Sequence, residues 1–494
     1  MTTDGFLVLD DEPMIFTKPV RVYNPVGFDP KVHLPETLHM HADSARHLLH
    51  TIHHNQFMYR RRADEFVELK AAYLRTSFTP RDAYKPVVEA LKAAGVLECD
   101  GHYVEGRKSL GYRLGPALFG AEFTSVAITD PKLARKILAR RERQYQAVTS
   151  DVHRHLRRFV EEIDFDHKAA TQYIARHGLK DQQVALDGFK HRDFFFVPCE
   201  YGRLHTNITS LKSELRRFLS YRGEKLVNLD IRNSQPLLFS AILLNFLLRE
   251  GSLNGLYHWK LDDSGVYYDL GTLSPLLQVK EQGERDLPAP HAPLRCPAII
   301  TGGDEQDRRE AMARRLLALG LPEDVIRYTG LVQRGVFYEH LMTEGGVPNG
   351  RRAKFKESFF GGVFFCRNRP VTRQAELFRS LFPNVYEVVH KIKRKDYRHL
   401  AHILQRAESS LIVNRIARRC LNDLPGTFVA TIHDSILTTP KAAEAILAIM
   451  MREFAGVGLV PTIQVEALGA SRGVVAGMPA GHVAVATGGN GRAF

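Results

Sequence analysis

The sequence predicts an α+β protein of several domains, and three observations carry that prediction. Short apolar runs bounded by turn residues, among them "LVNLD" (226–230) and "TIHDSILTTP" (431–440), read as strands. Longer stretches carry apolar residues at helical spacing, with basic residues on the other faces. The chain has 494 residues, 44% hydrophobic and 25% charged, which is ordinary for soluble globular proteins and gives length for about two to four cores.

Bulk features narrow the class. No apolar run reaches the length of a membrane span, and the first residues, "MTTDGFLVLDDEPM", are acidic where a secretory leader is basic. An intracellular protein without a membrane partner is expected. The five cysteines are scattered with no CxxC, against a disulfide framework or a zinc site. A net charge of +13 suits a polyanionic partner, most simply nucleic acid.

Residues 1–58 read as an N-terminal extension whose histidine-rich tract, "HLPETLHMHADSARHLLHTIHHN", is expected to be a surface helix. Residues 59–118 have a clearer shape. "RRRADEFVELKAAYLR" predicts a basic amphipathic helix, and Thr79–Ala94 a second helix capped by Thr79 and closed by Gly95. Two strands, Val96–Cys99 and Gly111–Leu114, then flank a loop with Arg107 and Lys108. Helix, helix and basic ribbon resemble a winged helix, a DNA-binding module. Residues 119–185 read as basic helices carrying Arg140 and Arg141, suited to tracking phosphates or simply to a solvated face.

Two carboxylates stand out further on. The strand "LVNLD" ends on Asp230, and Pro236 then opens a helix. His433, Asp434 and Ser435 fill the turn of the second quoted run, where an isolated His-Asp-Ser is ordinarily explained as turn formers. Aspartates fixed on neighbouring strands could hold a pair of Mg²⁺ ions for phosphoryl transfer. In "GRRAKFKESFFGGVFFCRNRP", Arg352, Lys356, Phe360 and Phe364 recur at a spacing of four, along one face of a single helix. The cations would grip phosphates, and the rings would meet a sugar and a base.

In type and order these segments resemble the family A DNA polymerases and their relatives, the single-subunit phage-type RNA polymerases. "GRLHTN", with Arg203, is similar to the segment that meets the primer end; "LDIRNSQPLL" resembles motif A; "RRAKFKESFFGGVFF" resembles motif B. "LQRAESSLIVNR", with Gln405 and Glu408, is similar to the helix facing the primer-template, and "TIHDSILTTP", with His433, resembles motif C. The resemblance covers roughly residues 130–470. It implies a right-hand polymerase fold behind the winged-helix-like domain: thumb at 119–185, palm at 186–249 and 376–471, and fingers with an insertion at 250–375; the small, Gly-rich residues of 472–494 read as a flexible tail. It also implies metal ligands at Asp230, Asp434 and Ile231 for two Mg²⁺ ions, with Mn²⁺ as a substitute. The implied partners are a DNA template and primer, dNTPs or NTPs, and replication accessory proteins. The setting would be the cytoplasm, in replication of a plasmid, phage or mobile element. "LVLDDEP", with Asp10 and Glu12, is followed by too little chain for an exonuclease domain, so proofreading is not expected.

The departures bear on the sugar. Five residues after Asp230, where the DNA enzymes carry a Glu that blocks the 2′-hydroxyl, stands Gln235, and Phe364 lacks the hydroxyl of the usual Tyr. His-Asp-Ser in motif C is closer to the RNA polymerases. A DNA polymerase is the leading expectation, an RNA polymerase or primase the second, and a non-catalytic DNA-binding initiator or regulator the third.

Overall fold

The computed structural model describes residues 19–58, 63–146, 148, 150–179, 182–250 and 302–468. The tail after 472, the Pro/Gly-rich part of the insertion, and Asp10 and Glu12 lie outside the described residues. The chain divides into two compact units, Met1–Ala147 with Thr171–His191, and Val148–Ala170 with Arg192–Phe494.

The first unit runs β1 (Arg21–Pro25), α1 (Ala42–Met58), β2 (Val67–Glu68), α2 (Ala71–Ser77), α3 (Tyr84–Ala93), β3 (Leu97–Cys99), β4 (Gly111–Leu114), β5 (Phe123–Ala127) and α4 (Pro131–Gln146). Antiparallel β4 lies between β2 and β3, and β1 pairs with β5. Leu48, Leu49 and Ile52 of α1 share one core with Leu74, Val87, Leu91 and Tyr112. Each such burial is worth about 1.5–3 kcal/mol. The expected boundary at residue 58 therefore cuts through a single core, and α1 is not a surface helix. Its His47 and His53 are half-buried. Burial, with the charges of Arg140 and Arg141, lowers His47 to about 4. Burial and His54 lower His53 to about 4 as well.

Two helix expectations in this unit change. Of the basic helix predicted over residues 60–75, residues 60–62 lie outside the described residues and residues 71–75 do lie in α2. Val67–Glu68 instead form β2, because Val67 is buried opposite Tyr112. The Gln56 amide donates to the Ala63 and Glu65 carbonyls at 3.1 and 3.0 Å, holding the turn ahead of it. The second helix starts at Tyr84 rather than being capped by Thr79, whose hydroxyl accepts from Lys136 Nζ at 2.6 Å.

The second unit includes α5 (Asp151–Glu162), β6 (Val227–Ile231), α6 (Ser234–Glu250), α7 (Glu323–Gln333), α8 (Phe337–Glu344), α9 (Arg352–Phe359), α10 (His399–Ser409), β7 (Ala430–Ile432), β8 (Ser435–Thr438) and β9 (Ile463–Ala467). The basic stretch expected as one set of thumb helices is thus divided between units. Leu133 of α4 packs on Val20, Val22 and Ile128 in the first. Phe159 of α5 meets Tyr221 and Phe428, ring centroids 6.1 and 5.6 Å away, in the second.

Four antiparallel strands in the order β7-β8-β6-β9 form the sheet that positions the site. Its alternation follows the period of two. Leu229 and Ile231 are buried on one face, while Asn228 and Asp230 keep the other, beside Glu466 and Gln464 of β9. Behind the site, Phe239, Tyr328, Phe337, Phe359, Phe364 and Phe378 form a fully buried aromatic cluster with mostly edge-to-face rings. Among the described residues, no helix is long and apolar enough to cross a membrane.

Candidate active site

Asp230 and Asp434 come together because two short strands put them there. In the register of β6 and β8, Asp230 lies opposite Ser435, the residue after Asp434. Asp434 occupies the two-residue turn between β7 and β8, and the turn is tight: His433 has φ +54°, a left-handed value that non-glycine residues rarely take. The chain after Asp230 is bent in the same way, with Asn233 at φ +56° before α6 begins. Both amide atoms of buried Asn233 have no hydrogen-bond partner among the described residues. Left-handed backbone near both carboxylates, and an unsatisfied buried amide near Asp230, mark a place held for something other than stability.

The electrostatics agree with that reading. Both aspartates are half-buried by surface, yet the surrounding chain strips much of their hydration. Burial first, and then the charge of Asp434, raise Asp230 to about 7, while Lys356 and Arg232 pull it down. Burial also raises Asp434, opposed chiefly by Lys356 and more weakly by Arg203 and Arg216. Lys356 of α9 is therefore the cation nearest in effect to both. Ile231 is buried on the opposite face of β6, so only its backbone could serve a metal. Among the described residues, no group of three His, Cys, Asp or Glu side chains converges as a metal site. A pair of hard-oxygen carboxylates that resist ionising side by side is nonetheless a donor set that suits Mg²⁺.

The remaining sequence-singled residues divide. Arg203 precedes the strand Leu204–Thr206, and its hairpin turn passes close to α10 because Gly202, at φ +81°, lacks a Cβ that would lie 3.0 Å from Ser409. Arg203 is thereby delivered to Glu408. Nε and Nη2 donate to Oε1 and Oε2, both at 2.8 Å. Glu408 is only 1% exposed. It also accepts from Gln235 Nε2 at 3.4 Å, so one buried carboxylate holds two residues of the candidate site. Gln405 is half-buried on the same helix, and His433 meets His205 edge-on at 6.5 Å.

The segment from Arg352 to Phe364 departs from its expected single helical face. Regular α-helix stops at Phe359, and Phe360–Phe364 form a π turn, with the Phe365 amide donating to the Phe360 carbonyl at 2.8 Å. That turn rotates Phe364 into the aromatic core, where it has no exposure. Phe360 stays half-buried, 6.2 Å from the ring of Tyr338. Arg352 and Lys356 remain one turn apart, with the Tyr338 ring 5.7 and 6.0 Å from their charged ends. Arg352 Nε also donates to Glu339 Oε1 at 2.7 Å, and the same oxygen accepts from Arg232 Nη2 at 3.0 Å.

Arg232, Tyr338 and Glu339 were not singled out from the sequence. Arg232 stands two residues after Asp230, which was a usable signal, whereas Tyr338 and Glu339 lie in a stretch with no motif spacing. In the first unit, Arg140 is exposed on α4 with its guanidinium 4.4 Å from the Tyr73 ring, and Arg141 is half-buried. Arg107 is exposed in the β3–β4 loop. Lys108 of that loop pairs with Asp100, and this contact, working against burial, helps lower the Asp100 carboxyl to about 2. No protein-family model matches the chain, and no curated protein matches it.

Proposed function

We propose that this chain is a nucleic-acid-templated nucleotidyltransferase, a DNA-directed DNA polymerase without proofreading. The observation that carries the reading is the meeting of Asp230 and Asp434 with Lys356, at a strand end and a strained hairpin turn. Two Mg²⁺ ions held by Asp230 and Asp434 would make a primer 3′-hydroxyl a better nucleophile and offset charge on a triphosphate and its leaving pyrophosphate. Lys356 and Arg352, one turn apart on α9, would bind the phosphates. Phe360, with part of its ring open, would stack on a base. Arg203, fixed by Glu408, keeps its remaining donors for the primer end.

For the first unit, the order α1-β2-α2-α3-β3-β4, with β4 central in its sheet, supports a winged-helix reading. In that reading α3, with exposed Arg81, Lys85 and Lys92 at or near it, and Arg107 of the loop would contact DNA. The pairing of the two units fits replication of a plasmid, phage or mobile element by a cytoplasmic enzyme.

A specific observation also favours ribonucleotide use. Gln235 is bound to Glu408, and Phe364 is buried and lacks a hydroxyl, so neither supports a block against a 2′-hydroxyl. Weak discrimination between dNTPs and NTPs follows. The test is extension of a labelled DNA primer on a DNA template with Mg²⁺, with dNTPs and NTPs in parallel lanes and the Asp434→Asn chain as control. Extension by the native chain alone supports the reading. Silence in all lanes while DNA is still bound would favour a non-catalytic initiator.

A further inference from the structure

We propose that Glu339 is a positioning residue that gathers Arg232 and Arg352 into a two-guanidinium clamp for a nucleotide's triphosphate, with Arg232 as the arm on the sheet side. The inference rests on the nucleotidyl-transfer reading for its ligand and on separate contacts for its geometry. Two guanidiniums from different elements, one just past the end of β6 and one on α9, repel each other when brought close. Here a single carboxylate oxygen, Glu339 Oε1, accepts from both, at 3.0 and 2.7 Å. Those bonds use one donor of each guanidinium, and each has further N–H groups in a planar fork that matches phosphate oxygens.

The arm on the sheet side is built in. Gly335, at φ +71°, has no Cβ; one there would lie 2.9 Å from Arg232 Cβ and 3.1 Å from its Cδ. The stem of Arg232 therefore runs closely over that glycine to reach Glu339. The Arg232 amide also donates to the Thr462 carbonyl at 3.0 Å, which fixes the start of the side chain. Beneath the other arm lies Tyr338, fully buried, its hydroxyl without a hydrogen-bond partner among the described residues. Glu339 Oε2 is likewise unpartnered. The Tyr338 hydroxyl is a donor left without an acceptor beside two converging cations, and a phosphate oxygen is an acceptor that would suit all three.

The role has a sign that simple electrostatics does not. Removing a negative charge near a polyanion site ordinarily tightens binding, whereas loss of a positioning carboxylate loosens it. The experiment is calorimetric titration of the full chain with inorganic tripolyphosphate, using native protein, Glu339→Gln, Glu339→Asp, Arg232→Gln and Asp230→Asn. Thermal melts confirm that each variant is folded. Expected are a roughly tenfold weaker affinity for Glu339→Gln and Arg232→Gln, and partial recovery with Glu339→Asp. In primer extension, Glu339→Gln should raise the nucleotide KM more than it lowers kcat. Unchanged or tighter tripolyphosphate binding by folded Glu339→Gln, unchanged binding by Arg232→Gln, or no binding by the native chain would each overturn the clamp. If tripolyphosphate binds with this dependence while no primer is extended, the clamp stands and the polymerase reading falls.

Discussion

Asp230 sits across the β6–β8 pairing from the residue next to Asp434, and the charge of Asp434 is the largest influence on Asp230 after burial. Neither aspartate contributes to a hydrophobic core, and each is followed or preceded by a residue in left-handed backbone: Asn233 three positions on, His433 one position before. The arrangement costs stability, and under the proposed function a cation site would offset that cost, as at many catalytic centres.

Asp230→Asn and Asp434→Asn should each lower nucleotide incorporation by about a thousandfold or more, the several kcal/mol expected on losing a metal-held transition-state contact. DNA binding should change little in either. A filter-binding assay beside the extension assay checks both halves.

Asp230 also sets a pH dependence. Its ordinary value is 3.8, and in the fold it is raised to about 7. Between these values the folded chain holds a proton that the unfolded chain has released, so stability present below the lower value declines as pH rises through the upper one. Without divalent metal, the melting temperature of the second unit should fall between pH 5 and pH 8. Added Mg²⁺ should restore it more at pH 8 than at pH 5, because a ligand for the ionised pair binds the folded state. Differential scanning calorimetry with and without Mg²⁺ measures this.

The first unit should respond in the opposite direction. His47 and His53 have folded values of about 4, below their ordinary 6.5. A lowered histidine leaves the unfolded chain with more protons in that window, so stability present above 6.5 is lost as pH falls toward 4. Melts at pH 7.5 and pH 5 should show α1 unfolding earlier in acid, and substituting His47 and His53 by Gln should flatten that response.

Gln235→Glu would place here the acid that the resemblance to the DNA polymerases implies for this position. Here it would put a second carboxylate beside Glu408, whose Oε2 is 3.4 Å from the Gln235 amide nitrogen, in a site where Glu408 is 1% exposed. The expected result is a lower melting temperature at pH 8 than at pH 5, together with greater discrimination against NTPs. Glu408→Ala should be worse for stability, by about 3–5 kcal/mol, because Arg203 loses the buried carboxylate it is ion-paired with. Denaturant melts and the dNTP to NTP incorporation ratio test both substitutions.

Much of the site was legible because its residues obey local rules. Asp230 is at the end of an apolar strand, Asp434 is in a turn between two such strands, and Arg352 and Lys356 are one helical turn apart. What escaped depends on contacts across the chain. The π turn that buries Phe364 breaks a spacing that assumes regular helix. Glu408 was singled out, but its pairing with Arg203, 205 residues away in the chain, was not, and Glu339 takes its place from Arg232 and Arg352. In the first unit, the strand at Val67 was hidden by a run of good helix formers, and only pairing with Tyr112 overrides their preference.

Single-nucleotide incorporation tests the central claim most directly. Four hairpin primer-templates, differing only in the first template base, would each be given one nucleotide at a time with Mg²⁺, using the native chain and the Asp230→Asn chain. The expected result is addition of the complementary nucleotide alone on each template by the native chain, and none by Asp230→Asn. Addition that ignores the template base, or equal addition by both proteins, would contradict the account.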